Sequence, residues 1–320
     1  MGESNTSPLR IALIAELRST YHQLGYSEED CAALPHSGEV DSVLATLREL
    51  GHHVILVTGI RSLVKLLAAG DHVHWDLVFN MAQGFHGTSR ESQVPALLDA
   101  YQIPYTFSDS STMALCQHKA NTKAILNHYR IPTAPFFLLS FGNVLPKSSS
   151  EIHTSALSFP VFLKPVSEGS SKGIDDFNKV NDIAELETAV QNLKSRYPGQ
   201  DILVESFLSG PEYTVSILGT GSHSRVVGVR EHIWSNGIKD DGCRTDLNFA
   251  TRKNKSTAGT GLAWSDSHDM TDPRIQAACQ VALDAWKAFG CHDAGRVDIR
   301  FDSDNVDAIP NVLEVSIKYQ

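Results

Sequence analysis

The chain has 320 residues, enough for two or three compact units. A hydrophobic fraction of 42% and a charged fraction of 20% are typical of a soluble globular protein. The net charge is −10 without a basic block, which argues against a nucleic-acid partner. We find no apolar run long enough to cross a bilayer and no signal peptide, so we expect a cytoplasmic protein without a membrane partner. The chain has five cysteines, an odd number, which favours reduced thiols in a cytoplasmic protein.

The first third of the chain alternates between strand and helix patterns. Strands are predicted at residues 10–17, 53–59, 75–81 and 103–107, and helices at 40–51, 62–70 and 92–102. Such alternation predicts a parallel sheet covered on both faces. Ligands of these sheets meet the loops that follow the strands, and residues 80–92 form one such loop.

The remaining two thirds mix strands and helices differently. Helices are predicted from Lys119, at 182–196 and at 272–290, and strands at 135–139, 202–208, 212–219 and 224–232. A further strand begins at residue 161 and ends near Lys164. The helix at 182–196 begins with Asp182 and Glu185 in the spacing of a capping box. The last three strands are predicted to be antiparallel neighbours.

A lysine and a run of small residues follow the strand in VFLKPVSEGSSKGI, residues 161–174. Lys164 ends an apolar run, where an ammonium needs a partner or an anion. The loop 167–173 offers backbone N–H groups and two hydroxyls with little steric bulk, which suits a phosphate. It is not a P-loop, because the G-x-x-x-x-G-K-[ST] spacing is absent. Phosphate binding and a surface hairpin with a lysine at its rim both remain open.

The late segment GRVDIRFDSDNVDAIPNVLEVS, residues 295–316, predicts a β-hairpin. Its first strand separates apolar from charged side chains, with Val297, Ile299 and Phe301 against Arg296, Asp298 and Arg300. Its return strand places Leu313 and Val315 on one face and Val312, Glu314 and Ser316 on the other. A turn centred near Val306 puts Asp298 directly across from Glu314, about 5 Å away at Cβ. Such a pair suits Mg²⁺, which also takes phosphate oxygens, but a charged hairpin neutralised by its arginines fits equally well.

These motifs occur in a familiar order: HK, FLKPVSEGSSKG, LVESFLSGPEYTV, GRVDIRFD and NVLEV. The chain resembles the ATP-grasp superfamily and, within it, the D-alanine–D-alanine ligase family, from about Leu9 to Val315. FHGTSRESQVPALLDAYQIPYT, residues 85–106, is similar to a further stretch of that family. The resemblance implies an α/β fold that is α+β in its C-terminal half. It implies a Rossmann-like domain at 1–117 and two ATP-grasp subdomains at 118–203 and 204–320, the last shortened.

The same resemblance implies an ATP-dependent ligase that joins a carboxylate to an amine through an acyl phosphate. Its cofactors would be ATP with Mg²⁺ or Mn²⁺, its partners small amino-acid-like substrates, and a homodimer is compatible with it. Lys119 and Lys164 match lysines that bind ATP phosphates, and Lys239 matches a further one. Ser170 and Ser171 lie in the loop that closes over the phosphates, where Ser170 counts as catalytic.

Five further residues take roles from the resemblance. Glu205 falls at the adenine-binding hinge, and Glu212 matches a glutamate that contacts the ribose. Asp298 and Glu314 match the magnesium carboxylates, in agreement with the hairpin pattern. Arg296 matches a catalytic arginine that stabilises the oxyanion and binds the substrate carboxylate.

The first substrate is less well defined. His86 and Gly87 match a loop that binds it, and a glutamate should hold its amino group. That glutamate has three candidates in YSEEDCAALPHSGEV, which are Glu28, Glu29 and Glu39. The stereochemistry of the substrates therefore stays open.

The sequence departs from the family pattern at several positions. Ser316 stands where the family has a metal-binding asparagine, Asp240 where it has a tyrosine, and Phe107 where a glycine is common. After Val315 the sequence no longer follows the family, and we expect a shortened C-terminal end. The alternative reading is therefore an ATP-binding protein with weak or no ligase activity.

Overall fold

The computed structural model describes residues 7–140, 157–234, 237–238, 244–245, 249, 251 and 262–317. The described chain divides into two compact units. The first contains the residues up to Ala114 together with Ile317, and the second contains Leu115–Ser316. The subdivision of the second unit into 118–203 and 204–320 stays a prediction.

A three-stranded parallel sheet forms the centre of the first unit, in the order β2-β1-β3. The strands are β1 (Arg10–Ala15), β2 (His53–Thr58) and β3 (Leu77–Asn80). The helices are α1 (Arg18–Gln23), α2 (Ser37–Glu49), α3 (Gly59–Ala69) and α4 (Gln93–Ala100). Alternate residues of β1 lie in separate apolar clusters, Ala12 and Ile14 with α3 and α4, and Ile11 and Leu13 with α2. The predicted parallel sheet, covered on both faces, is confirmed.

The predicted fourth strand at 103–107 is wrong. Only Tyr105 pairs with the sheet, in a single parallel bridge to Val78. Pro104 has no N–H to extend the ladder. Phe107 has a φ of 74°, outside the range of a strand, which is the conformation that a glycine would favour at this position.

A further helix that the sequence analysis missed, α5 (Ser110–Gln117), crosses the division between the units. The second unit then begins with α6 (Lys119–His128) and a four-stranded antiparallel sheet in the order β4-β7-β5-β6. Its strands are β4 (Phe136–Leu139), β5 (Val161–Pro165), β6 (Lys179–Val180) and β7 (Ile202–Ser206). Helix α7 (Ile183–Arg196) packs against the sheet through a buried stripe that includes Leu186, Val190 and Leu193. The Asp182 side chain caps α7 as predicted, since it accepts a hydrogen bond from Glu185 N.

The second sheet of this unit has five antiparallel strands, in the order β12-β9-β8-β13-β14. The strands are β8 (Glu212–Leu218), β9 (Arg225–Trp234), β12 (Leu262–Ser265), β13 (Ala294–Phe301) and β14 (Pro310–Ser316). Two short strands, β10 (Gly237–Ile238) and β11 (Arg244–Thr245), pair with each other in a separate sheet. Helix α8 (Pro273–Ala288) packs against the sheet and contributes the fully buried Trp286.

The predicted pairing of 202–208 with 212–219 is wrong, because β7 belongs to one sheet and β8 to the other. The chain between β7 and β8 leaves the four-stranded sheet and passes through Gly210, whose N–H donates to Phe301 O. A Cβ at Gly210 would lie 2.3 Å from Ser303 O, so only glycine allows this approach. Pro211 then precedes β8 and offers no donor to continue the earlier ladder.

Two expectations from composition can be checked over the described residues. None of the described helices is long and apolar enough to cross a membrane. The four cysteines in the described part of the chain form no disulfide.

Candidate active site

A cleft of about 920 Å³, partly open to solvent, lies within the second unit. Both of the unit's sheets contribute to its walls, together with the loop after β5 and the start of α6. Nine of the sequence-predicted site residues line it: Lys119, Lys164, Ser170, Ser171, Glu205, Glu212, Arg296, Asp298 and Glu314. Lys239 lies outside the described residues.

Two lysines enter the cleft from different elements. Lys119 is the first residue of α6, and its ammonium donates to the Glu168 carbonyl and lies 3.4 Å from Glu314 Oε1. Lys164 comes from β5, and its ammonium lies 2.6 Å from Glu205 Oε1. The side chains of both lysines are about nine-tenths buried. Both ammonium groups are therefore held in place by acceptors at the wall of the cleft.

The carboxylate of Glu205 is shared by Lys164 and a third lysine. Lys123 lies one turn beyond Lys119 on α6, and its ammonium is 2.7 Å from Glu205 Oε2. Burial alone would raise the pKa of Glu205, but the two ammonium groups outweigh it and hold that pKa at about 2. Burial also lowers the pKa of Lys123, against the attraction of Glu205. The sequence analysis missed Lys123, although its spacing of four from Lys119 indicates the same helix face.

The loop after β5 has an unusual backbone. Ser170 and Ser171 have φ values of 52° and 55°, and Gly173 has a φ of 80°. Lys172 lies 3.4 Å from Glu168, and both line the cleft. Consecutive serines in the left-handed region are uncommon, and the small side chains keep the loop backbone accessible to the cleft.

The two carboxylates of the hairpin meet as the sequence predicts. Asp298 on β13 pairs directly with Glu314 on β14. A β-bulge shifts the register between Asp298 and Ile299, so Val312 rather than Leu313 pairs with Ile299. The predicted faces of the return strand are therefore wrong in one respect: Leu313 joins Glu314 at the cleft, and Val312 is fully buried.

The charged face of β13 is tied to the neighbouring strand β8. Thr214 Oγ1 donates to Asp298 Oδ1 at 2.8 Å, and Arg296 Nη2 lies 3.6 Å from Asp298 Oδ2. Arg300 donates to Glu212 Oε2 at 2.9 Å, and burial lowers the pKa of this guanidinium while Glu212 opposes the shift. The arginines do neutralise the acids, and the charged side chains of both pairs line the cleft.

The donor set at Asp298 and Glu314 fits a magnesium ion. Both residues offer hard carboxylate oxygens from paired strands. Among the described residues, no group of three or more His, Cys, Asp or Glu is arranged to hold a metal. Mg²⁺ usually also takes oxygen ligands from water and from substrate phosphates.

The first unit holds the loop predicted to bind the first substrate. His86 O accepts from Gln93 Nε2 at 2.8 Å, and His86 Nε2 lies 3.3 Å from the Tyr26 hydroxyl. Gly87 has a φ of 97°. Within this unit, Tyr26 also packs edge-on against Phe85, with ring centroids 4.4 Å apart. The His86 loop is thus held by a cluster of aromatic and amide side chains.

The acidic candidates of the first unit occupy different environments. Glu28 is exposed and lies 3.2 Å from His22 Nε2, whereas Glu39 accepts from His36 N at the start of α2. Glu16 was not among the sequence candidates, yet it is buried at the end of β1 and accepts from Gln83 N at 2.7 Å. An acid directly after an apolar strand is the signal that could have found it.

The two sheets around a cleft of lysines, small loop residues and paired carboxylates define the class as an ATP-grasp fold. A solved D-alanine–D-alanine ligase from Bacillus anthracis superposes with a TM-score of 0.71, at 20% identity over 97% of this chain and 87% of that chain. The same enzyme solved with ATP superposes with a TM-score of 0.68, at 18% identity over 96% and 86% of the two chains. These likenesses confirm the predicted fold class.

Sequence comparisons extend the likeness from the fold to a family. The family model described as D-ala D-ala ligase C-terminus matches residues 125–313. The D-alanine–D-alanine ligase of Xanthomonas axonopodis pv. citri is 32% identical over 87% of this chain and 78% of its own length. D-alanine–D-alanine ligase B of Xanthomonas campestris pv. campestris is 31% identical over 92% and 84%. The chain belongs to the D-alanine–D-alanine ligase family. The predicted class, a carbon–nitrogen ligase that uses ATP with Mg²⁺, is confirmed at the level of this family.

Proposed function

We propose that this chain activates a carboxylate with ATP and joins it to an amine, forming an amide or peptide bond. The observation that supports this best is the cleft itself, which is lined by Lys119, Lys164, the loop residues 168–172 and the Asp298/Glu314 pair. Cations and backbone donors suit a polyphosphate, and the carboxylates suit its magnesium ion. The substrates would be small and amino-acid-like.

The proposed phosphate-binding groups come from two kinds of element, regular secondary structure and a loop. Lys119 and Lys164 supply charge from a helix start and a strand, while Ser170 and Ser171 supply hydroxyls and N–H groups from the loop. Lys239 is proposed as a further phosphate lysine. Closing the loop would exclude water that otherwise hydrolyses an acyl phosphate.

The nucleoside would lie along β7 and β8. Glu212 is proposed to bind the ribose, and Arg300 fixes its carboxylate by the hydrogen bond of 2.9 Å. Glu205 is proposed to act at the adenine hinge through its backbone, because its carboxylate is engaged by Lys123 and Lys164.

The proposed reaction has two steps. A substrate carboxylate oxygen attacks the γ-phosphorus of ATP, and ADP leaves with the bridging oxygen. The amine then attacks the acyl carbon, and phosphate leaves with the former carboxylate oxygen. Asp298 and Glu314 would hold Mg²⁺, which when bound would neutralise charge on the phosphoryl oxygens. Arg296, kept 3.6 Å from Asp298, supplies positive charge to the tetrahedral oxyanion.

Several finer assignments complete the proposal. His86 and Gly87 would bind the first substrate, with Tyr26 and Gln93 holding the loop. The protein would act in the cytoplasm, and a homodimer is compatible with this role.

Phosphate release from Mg-ATP across a panel of D- and L-amino acids tests the ligase. We expect release that depends on the amino acid, accompanied by a new amide detected by mass spectrometry. ATP hydrolysis that no amino acid stimulates, or no ATP binding at all, would contradict the proposal.

An ATP-binding protein with little ligase activity is the second candidate, and Ser316 is the observation that favours it. Ser316 follows Glu314 by two residues on β14, so the two share a strand face, and a hydroxyl reaches less far than an amide. The variant Ser316→Asn should lower the Mg²⁺ concentration for half-maximal turnover severalfold if this ligand is limiting. Ser195→Asn, on the exposed surface of α7, is the matched control. Equal magnesium dependence in Ser316→Asn and the wild type would remove the case for this candidate.

A further inference from the structure

Lys123 lies behind the wall of the cleft and is not among the residues that line it. Its side chain is 1% exposed. The ammonium lies 2.7 Å from Glu205 Oε2, 2.8 Å from Thr133 Oγ1 and 3.2 Å from Ala134 O. The ammonium donates hydrogen bonds to Thr133 and Ala134 and forms an ion pair with Glu205. Lys123 is therefore too enclosed to touch a ligand in the cleft.

Glu205 connects the buried Lys123 to Lys164, which lines the cleft. One carboxylate oxygen faces Lys123, and the other lies 2.6 Å from the Lys164 ammonium at the cleft wall. Two ammonium groups share one carboxylate, so the cluster carries one net positive charge. Without the hidden lysine, Glu205 and Lys164 would form a neutral pair.

We propose that Lys123 is a positioning residue that engages one oxygen of Glu205 and so leaves the Lys123/Glu205/Lys164 cluster with one net positive charge, which Lys164 presents to ATP at the cleft wall. This inference rests on the proposed function, because it assumes that ATP phosphates occupy the cleft. Lys123 acts through Glu205 and never through direct contact with the nucleotide.

The physical basis is the balance of charges in a partly desolvated wall. A buried net positive charge is costly unless an anion approaches it, and a polyphosphate supplies that anion. The charge count requires an ionised Glu205, whose pKa the two ammonium groups hold at about 2 against the effect of burial. It also requires a protonated Lys123, whose pKa is lowered by burial and raised by Glu205. The hydrogen bonds to Thr133 Oγ1 and Ala134 O also hold the Lys123 ammonium, which restricts its movement towards the cleft.

Direct binding of a non-hydrolysable ATP analogue with Mg²⁺, measured by calorimetry, tests the proposal. Lys123→Met removes the hidden charge and should weaken binding roughly tenfold, the effect of one charge at moderate distance. Lys123→Arg keeps the charge and should stay near the wild-type affinity. The double variant Lys123→Met/Glu205→Gln restores one net positive charge at Lys164 and should recover most of the lost affinity. Lys65→Met, exposed on α3, changes the total charge equally and is the control.

Steady-state kinetics add a second readout. The KM for ATP should rise in Lys123→Met while kcat changes much less, because Lys123 sets ATP affinity and not the bond-forming step. Circular dichroism checks folding first. If Lys123→Met does not fold, Lys123→Gln takes its place in the same comparison.

The outcomes separate this inference from the function on which it rests. Wild-type affinity in Lys123→Met, or a double variant as weak as the single one, overturns the inference and leaves the ligase proposal standing. No binding by the wild-type chain overturns the ligase proposal and this inference with it.

Discussion

At the scale of single residues, the charge of the cleft depends on two lysines, and only one of them is recognisable from the sequence pattern. Lys164 stands out because it ends an apolar strand, and the structure places it at the cleft wall. Lys123 gives no such signal, because a lysine inside a helix pattern is usually solvated. Its burial becomes visible only when β4, β7 and α6 meet around Glu205.

The Glu205 cluster should also make stability depend on pH. The folded-state pKa of Glu205 is about 2, below the usual value of 4.5. A depressed carboxylate pKa stabilises the fold above about pH 4.5, and that contribution is lost as the pH falls towards 2. The contribution is of the order of 3 kcal/mol.

Urea unfolding between pH 7 and pH 3 measures this effect. We expect Glu205→Gln to be less stable than the wild type at pH 7 and to lose less stability on acidification. Glu187→Gln, on the exposed face of α7, should keep the wild-type pH dependence. An unchanged acid dependence in Glu205→Gln would show that the cluster does not stabilise the fold in this way.

At the scale of elements, the loop after β5 combines small residues with a tightly fitted end. A Cβ at Gly173 would lie 2.6 Å from Pro165 Cγ, and its φ of 80° disfavours any other residue. A Cβ at Gly169, in the same loop, would meet no atom within 4 Å, and the φ of Gly169 lies outside the left-handed region. The two glycines therefore allow a matched comparison.

Gly173→Ala should lower the free energy of unfolding by about 1–3 kcal/mol, because the loop end must shift away from Pro165. Gly169→Ala should stay within about 0.5 kcal/mol of the wild type. Chemical denaturation of both variants checks the difference. Equal stability of the two variants would mean that the loop end is not fixed by this contact.

The hairpin shows what element-level patterns can and cannot predict. Period two and the turn position correctly predict that Asp298 faces Glu314. The bulge beside them is not predictable from alternation, because an extra residue leaves the apolar pattern of β13 unchanged. Because of the bulge, Leu313 lines the cleft together with its neighbour Glu314. The crossing at Gly210 was missed for a similar reason, since a glycine's close contact depends on a distant carbonyl.

At the scale of the whole molecule, the order of motifs predicts more than any single motif. The strand–helix alternation of the first unit and the strand-rich second unit follow from periodicity and are both present. The site of the second unit draws residues from α6 through β14, so its assembly follows from the fold and not from local spacing. The resemblance supplies that long-range information, and the family comparisons agree with it.

The central claim is that ATP activates a carboxylate as an acyl phosphate. The most direct measurement uses an amino-acid substrate labelled with ¹⁸O in its carboxylate, with mass spectrometry of the released phosphate. Because the carboxylate oxygen attacks the γ-phosphorus and leaves with it, we predict one ¹⁸O atom in each phosphate and one lost from the activated residue of the amide. Phosphate released without label during amide formation would contradict the account.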